Sequence, residues 1–312
     1  MLSYRHAFHA GNHADILKHT VLVNILESLC KKEKPFTVFD THAASGLYSL
    51  DDERSLKTNE ANDGIITLLR AMDEIDFPET LSNYYKIVSL YKAHSSYPGS
   101  VEFEKIFLDE QCAHIVSELN NSEIDLLKEN AKTAPRVFIN KTKTQVKTQI
   151  HHRDGLEAIL ALTPPQIKRG LCLIDPSYEE KDDYKQIEQT VVKLSKKWNV
   201  GIIAVWYPLL SHRAIEIEQM KNSIIASVKA QDSNTQILDA RLLVNKSDSH
   251  TETSLKELKE NPDSKNPPRL YGSGMLIVRS PWQLDTITKD NLSYISQRIY
   301  KNGCPSYEVN VY

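Results

Sequence analysis

The chain has 312 residues, 40% of them apolar and 25% charged, with a net charge of −3 at pH 7. Those values describe a soluble globular protein long enough to bury a sizeable core. The absence of any run of about 18 apolar residues excludes a membrane-spanning helix. The N-terminal stretch lacks an apolar signal core, so a cytoplasmic location is expected. Cys30, Cys112, Cys172 and Cys304 are scattered without a CxxC pair, which argues for a reducing compartment and against a zinc ribbon. The mild negative charge argues against a nucleic-acid partner only as an average. Between Ala131 and Arg169, eight Lys/Arg face two acids, a local charge of +6.

In chain order, "AGNHADILKHTVLVNILESLCKKEK" carries Ile16, Leu17, Val21, Val23, Leu26 and Leu29 at helical spacing, with a basic last turn. "PFTVFDTHAASG" is an apolar run of strand type that ends in an acid, small residues and Gly46. From about residue 51 to 95 the pattern is helical and polar, and "SYPGS" breaks it. "CAHIVSELN" reads as a second strand ending near Glu118, followed by a helix from about Glu123 to Lys132. "RVFINKTKTQVKTQIHHRDG" has β-type residues, basic alternation and an Asp-Gly turn. The strand "GLCLIDPSY", the helix "YKQIEQTVVKLSKKW" and the strand "VGIIAVWYP" follow. A polar, Pro-flanked stretch from Asn245 to Pro268 reads as a loop, and "GSGMLIVRSP" as a late core strand. Strands alternating with helices predict an α/β protein with a mostly parallel sheet wound on both faces.

Ligands in such a sheet bind beyond the carboxyl ends of the strands. Asp40, Glu118, Asp154 and Asp175 stand at four successive strand ends. Converging acids repel unless a ligand supplies donors, as ribose hydroxyls and exocyclic amines do. "DTHAASG" retains only Gly46, too little glycine for the close approach of a pyrophosphate but enough for a nucleoside. Glu118 then fits a ribose acceptor, or a solvated acid opening a loop. "DPSY" offers the Asp175 carboxylate and the Pro176 carbonyl as two acceptors for the hydrogens of an aromatic amine. Such a pair stabilises the positive charge that develops as a weakly nucleophilic nitrogen attacks. Tyr178 offers a ring on which a flat base can stack. Asp-Pro also starts plain turns.

The order of "DTHAASG", Glu118, "HHRDG" and "DPSY" resembles the S-adenosylmethionine-dependent amino-methyltransferases with an (Asp/Asn)-Pro-Pro-(Tyr/Phe) motif. "MLSYRHAFHAGNHADILKHTVL", "DTHAASGLYSL", "YPGS", "LIDPSYE" and "AVWYP" look more closely like the bacterial 23S ribosomal RNA (adenine-N6)-methyltransferase family, RlmJ. The resemblance runs from Met1 to about Trp282. It implies a Rossmann-like methyltransferase fold, with a core over 1–50 and 106–312 that includes an N-terminal motif helix, and an inserted helical subdomain over 51–105. It implies S-adenosylmethionine as cofactor, 23S rRNA as partner, and neither metal, membrane nor obligate protein partner. His9 and His13 are spaced like possible metal ligands, but capping or RNA contact is the preferred reading. By the resemblance, Lys18, His19, His42, Ser100, Glu118, Asp154, Gly155 and Asp175 face the cofactor, with Glu118 on the ribose and Asp154-Gly155 on the adenine. Asp175 resembles the catalytic acid, with Pro176 and Tyr178 beside it, and Tyr4 resembles an RNA contact.

Two positions depart from the family pattern. Ala44 replaces the first glycine of "DTHAGAG", at a cost of about 1 kcal/mol if the backbone there needs positive φ. Ser177 replaces the second proline of Asp-Pro-Pro-Tyr and leaves the Pro176 carbonyl in place. A catalytically impaired RNA-binding protein of the same fold and a DNA adenine-N6 methyltransferase are the alternatives. The retained Asp175, Glu118 and Tyr178 favour the active RNA enzyme.

Overall fold

The computed structural model describes residues 6–53, 58–139, 144–245, 270–299 and 305–312. Tyr4, Lys141, Lys143, Cys304 and the polar stretch after Asn245 lie outside them. Helix α1 (His13–Cys30) starts at Asn12, whose side chain accepts from the backbone N–H of Ala14 and Asp15 at 2.9 and 3.1 Å. The sequence spacing predicts a helix with Ile16, Leu17, Val21, Val23, Leu26 and Leu29 as its apolar positions. The structure buries α1 almost all round, including the polar Asp15, Lys18, His19, Thr20 and Asn24. The reason is its central place, in contact with the sheet on one side and with three other helices.

After α1 come β1 (Thr37–Asp40) and the short β2 (Leu47–Ser49), then α2 (Thr67–Glu74), α3 (Ser82–Lys92) and β3 (Ser96–Pro98). β2 and β3 pair antiparallel, Leu47 opposite Pro98, so the helical stretch between them leaves and returns at one place. Leu68, Leu69, Met72, Tyr84, Ile87 and Tyr91 of these helices pack into the core that α1 helps to fill. The chain continues through α4 (Ser100–Phe107), β4 (Ala113–Ser117), α5 (Asn121–Lys132), β5 (Thr148–His151), α6 (Gly155–Leu162) and β6 (Gly170–Ile174). It ends with α7 (Lys181–Lys197), β7 (Ile202–Leu209), α8 (Ala214–Gln231), β8 (Ile237–Leu243), β9 (Gly272–Val278), α9 (Leu284–Ser296) and β10 (Ser306–Val311).

Eight strands form one sheet in the order β10-β8-β9-β7-β6-β1-β4-β5. The β1–β4, β4–β5, β1–β6 and β6–β7 pairs are parallel, and β9 runs antiparallel between β7 and β8. β6 and β7 are apolar along their length because both faces are covered. Leu171, Leu173 and Ala204 enter the core with α1, while Cys172, Ile174, Ile203 and Val205 meet Ile187, Val191, Leu194 and Ile224 of α7 and α8. The chain winds outward from β1 through β4 to β5, then crosses back to β6 on the other side of β1. The carboxyl ends of β1 and β6 therefore flank the point where the winding reverses, where such sheets open a crevice. No helix among the described residues is long and apolar enough to cross a membrane.

Candidate active site

A cavity of about 810 Å3 opens at those strand ends. Its first half is lined by the loops after β1, β4 and β5. Glu118, directly after β4, accepts from the backbone N–H of Ala44 at 2.7 Å through Oε2 and of Asn120 at 2.6 Å through Oε1. It is 9% exposed, and burial raises its carboxyl pKa above the ordinary range. Ala44 has φ +44° and Gly46 φ +74°, so the loop does require left-handed backbone, and the alanine stands in it. Asp154 caps α6 by accepting from the N–H of Glu157 at 2.9 Å. A Cβ on Gly155 would lie 1.9 Å from the carbonyl oxygen of Thr41, so only glycine lets α6 approach the β1 loop this closely. His42 faces the cavity beside Thr41, whose Oγ1 lies 2.7 Å from its Nδ1. Burial lowers its pKa to about 4, which keeps the ring neutral at physiological pH.

The four strand-end acids do not all converge. Glu118, Asp154 and Asp175 line the cavity, but Asp40 does not. Asp40 is buried, and its carboxylate accepts from the His42 N–H at 3.0 Å and from Ser100 Oγ at 2.5 Å. Ser100 thus reaches the site at the first turn of α4 but directs its hydroxyl to Asp40. His19 lies at the cavity floor with its Nδ1 2.8 Å from the Tyr97 hydroxyl, and burial lowers its pKa well below the ordinary value.

The second half is built around the end of β6. Lys18 Nζ lies 2.5 Å from Asp175 Oδ2 and 2.9 Å from Asp15 Oδ1. Asp15 Oδ2 in turn meets His6 Nε2 at 3.0 Å and accepts from the Gly11 N–H at 2.9 Å. Burial works against charge on Lys18, but the two carboxylates hold its pKa well above the usual value. Burial raises the pKa of Asp175, and Lys18 and His6 oppose that rise. Lys18, read from the sequence as a cofactor contact, therefore sits on the carboxylate of the Asp-Pro-Ser-Tyr turn. Beside this relay, His9 Nδ1 contacts both carboxylate oxygens of Glu60 at 3.0 and 3.1 Å, and Asn12 Nδ2 donates to Glu60 at 2.9 Å. His9 is thus part of a hydrogen-bonded wall that His13 lines beside it, and among the described residues no group of three His, Cys, Asp or Glu side chains could hold a metal ion.

Tyr178 departs from its sequence expectation. An exposed stacking ring was expected, but Tyr178 is 5% exposed, and Asp175, Pro176 and Ser177 line the cavity while it does not. Its φ is +52°, which turns the side chain back into the core. There the hydroxyl donates to the Trp206 carbonyl at 2.8 Å and the ring lies 4.7 Å from Tyr184. The sequence reading missed His6, Asp15, Glu60 and Trp206. The available signals were the histidines crowded before residue 43 and the i,i+3 spacing of Asp15 and Lys18, which places both on one helix face.

Comparison with known proteins adds to this geometry. The model of the family described as "Ribosomal RNA large subunit methyltransferase D, RlmJ" matches residues 33–310. A protein of Haemophilus influenzae named ribosomal RNA large subunit methyltransferase J is 34% identical over 313 residues, 99% of this chain and 98% of that protein. Its namesake in Escherichia coli K12 is 33% identical, covering 97% and 96%. The solved structure of protein LPL1258 from Legionella pneumophila superposes with a TM-score of 0.74 at 26% identity, over 97% of this chain and 98% of that one.

Proposed function

The chain belongs to the family described as ribosomal RNA large subunit methyltransferase D, RlmJ, and from that membership we propose that it transfers a methyl group from S-adenosylmethionine to N6 of an adenine in 23S rRNA. The carrying observation is a single cavity with Glu118 and Asp154 on one wall and Asp175 and Pro176 on another. The cofactor fits the first half on chemical grounds. Glu118 retains lone pairs beyond those given to Ala44 and Asn120, and these accept from ribose hydroxyls. Asp154 and Gly155 form the rim for the adenine, held in place by the close packing of Gly155 on Thr41. Neutral His42 adds no positive charge beside a cationic sulfonium, and His19 and Ser100 shape the floor.

When bound, S-adenosylmethionine supplies an electrophilic methyl group. Everything else falls to the chain. Asp175 and the Pro176 carbonyl accept the two hydrogens of the target amine, direct its lone pair toward the methyl carbon, and stabilise the positive charge that grows on nitrogen. Lys18 holds one oxygen of Asp175 and leaves the other for the amine. The transfer is a direct displacement without a covalent enzyme intermediate: the nitrogen gains the methyl group, S-adenosylhomocysteine leaves, and one amine proton is lost to solvent. Residues 51–105 act as an inserted helical subdomain, tied to the N-terminal motif through Glu60, and Tyr4 contacts RNA. The enzyme acts in the cytoplasm.

Mass spectrometry of nucleosides from 23S rRNA incubated with the protein and isotopically labelled cofactor tests this reading. Labelled N6-methyladenosine is the expected product. Label only in DNA adenine would replace the RNA substrate, and RNA binding without label would identify a catalytically impaired binder.

A further inference from the structure

Asp175 emerges from the sheet beside Trp206. In the β6–β7 register Ile174 pairs with Val205, so the next residue on each strand lies at the crevice. Trp206 lines the cavity and also packs partly against both cores of the sheet. Among the described residues its indole Nε1 is buried without a hydrogen-bond partner, so packing sets the orientation of the ring. Pro176, Ser177, Ile187, Pro208 and Leu210 line the same cavity, with Asp183 and Gln186 among its polar members. A flat, weakly polar ring whose amine reaches Asp175 suits that lining. The aromatic residue of the Asp175 turn cannot offer its face there: Tyr178 is closed in by Tyr184, and its ring centroid stands 6.0 Å from that of Trp206 at an interplanar angle of 57°.

We propose that Trp206 is the stacking surface for the target adenine, and that Tyr178 is a positioning residue that braces Trp206 from behind. The assignment rests on the adenine methyltransferase reading above. The Tyr178 hydroxyl holds the Trp206 carbonyl at 2.8 Å, which ties the Asp175 turn to β7. The amine acceptors and the stacking ring therefore keep a fixed spacing. Stacking of one base on an aromatic side chain corresponds to roughly tenfold to hundredfold in affinity.

Adenosine 5′-monophosphate, added to protein saturated with S-adenosylhomocysteine, is the probe. Calorimetry should show its affinity falling roughly tenfold or more in Trp206→Ala and little changed in Trp206→Phe, which keeps a ring. Affinity for S-adenosylhomocysteine should stay within about twofold in both, a split that general damage to the fold would not give. Nucleotide should quench tryptophan emission in the wild type and in Trp282→Phe, which removes the 81% exposed tryptophan, but not in Trp206→Phe. Tyr178→Phe should bind nucleotide nearly normally and lower the single-turnover methylation rate of 23S rRNA. Unchanged nucleotide affinity in Trp206→Ala, a quench that survives in Trp206→Phe, or a larger affinity loss in Tyr178→Phe than in Trp206→Ala would overturn the assignment. Nucleotide binding that follows this pattern, in a protein that methylates no 23S rRNA, would leave the Trp206 site standing and reject the substrate proposed above.

Discussion

The two halves of the cavity are made of different material. The half under β1, β4 and β5 is mostly backbone and its caps: the Ala44 and Asn120 N–H groups on Glu118, Asp154 on the first turn of α6, and Gly155 against Thr41. The half at the end of β6 is a chain of side chains, His6 to Asp15 to Lys18 to Asp175, whose last link joins residues 157 apart in sequence. Backbone caps hold a shape whether or not a ligand is bound. A relay of buried charges sets a protonation state and an orientation, and it depends on every member. The first half is thus suited to binding and the second to chemistry, and substitutions should separate them.

The largest effect is expected in the second half. Asp175→Ala removes the proposed acceptor for the amine and leaves Lys18 facing Asp15 alone. Single-turnover methyl transfer at saturating cofactor and RNA should slow by ~100-fold or more, with cofactor affinity nearly unchanged. Asp175→Asn keeps an acceptor oxygen without the full charge and should retain more activity. If Asp175→Ala transfers methyl at the unmodified rate, the turn is only a turn.

In the first half, Glu118→Ala should show the opposite pattern. It removes the proposed ribose acceptor and orphans the Ala44 and Asn120 N–H groups, with an expected loss of ~2 kcal/mol, roughly thirtyfold in cofactor affinity. The rate at saturating cofactor should change far less. Calorimetry that finds unaltered affinity for S-adenosylmethionine would remove Glu118 from the binding site.

A smaller effect, of the other sign, is expected at Ala44. Ala44→Gly relieves a left-handed alanine and should stabilise the fold by about 1 kcal/mol, read from the denaturant midpoint at constant slope. A loss of stability there would mean that packing of the alanine methyl outweighs the strain.

The smallest effect concerns pH. Burial acts to lower the pKa of His9, but the hydrogen bond and charge of Glu60 raise it above 6.5. Burial acts to raise Glu60, but His9 and Asn12 lower it below 4.5. The His9 contribution is complete below 6.5 and is lost as pH rises through its elevated folded value. That of Glu60 is complete above 4.5 and is lost as pH falls through its depressed one. The pair therefore stabilises most between those two pH values. The melting temperature of the wild type relative to His9→Ala should peak in that window, and a flat difference would show that the pair carries no charge.

Much of the first half could be read in the sequence, because its parts are local. A strand followed by an acid, a capping Asp before a glycine, and a loop short of glycine each follow from a few adjacent residues, and the left-handed Ala44 follows from the family pattern. The second half could be read only at its tip. "DPSY" predicts Asp175 and Pro176 at the strand tip, but not that the ring of Tyr178 faces the core, because a positive φ at a single residue turns a side chain from solvent into the core. The sequence by itself determined the alternation of strands and helices, and with it a parallel sheet whose crevice opens at the carboxyl ends. Local propensity and apolar periodicity are enough for that. Only the tertiary structure decided that α1 runs buried across one face, with Lys18 on Asp175, that Glu60 meets His9, and that Trp206 stands beside Asp175. These contacts join residues 31 to 157 positions apart, and they are fixed by how helices and strands pack, which no short stretch of sequence encodes.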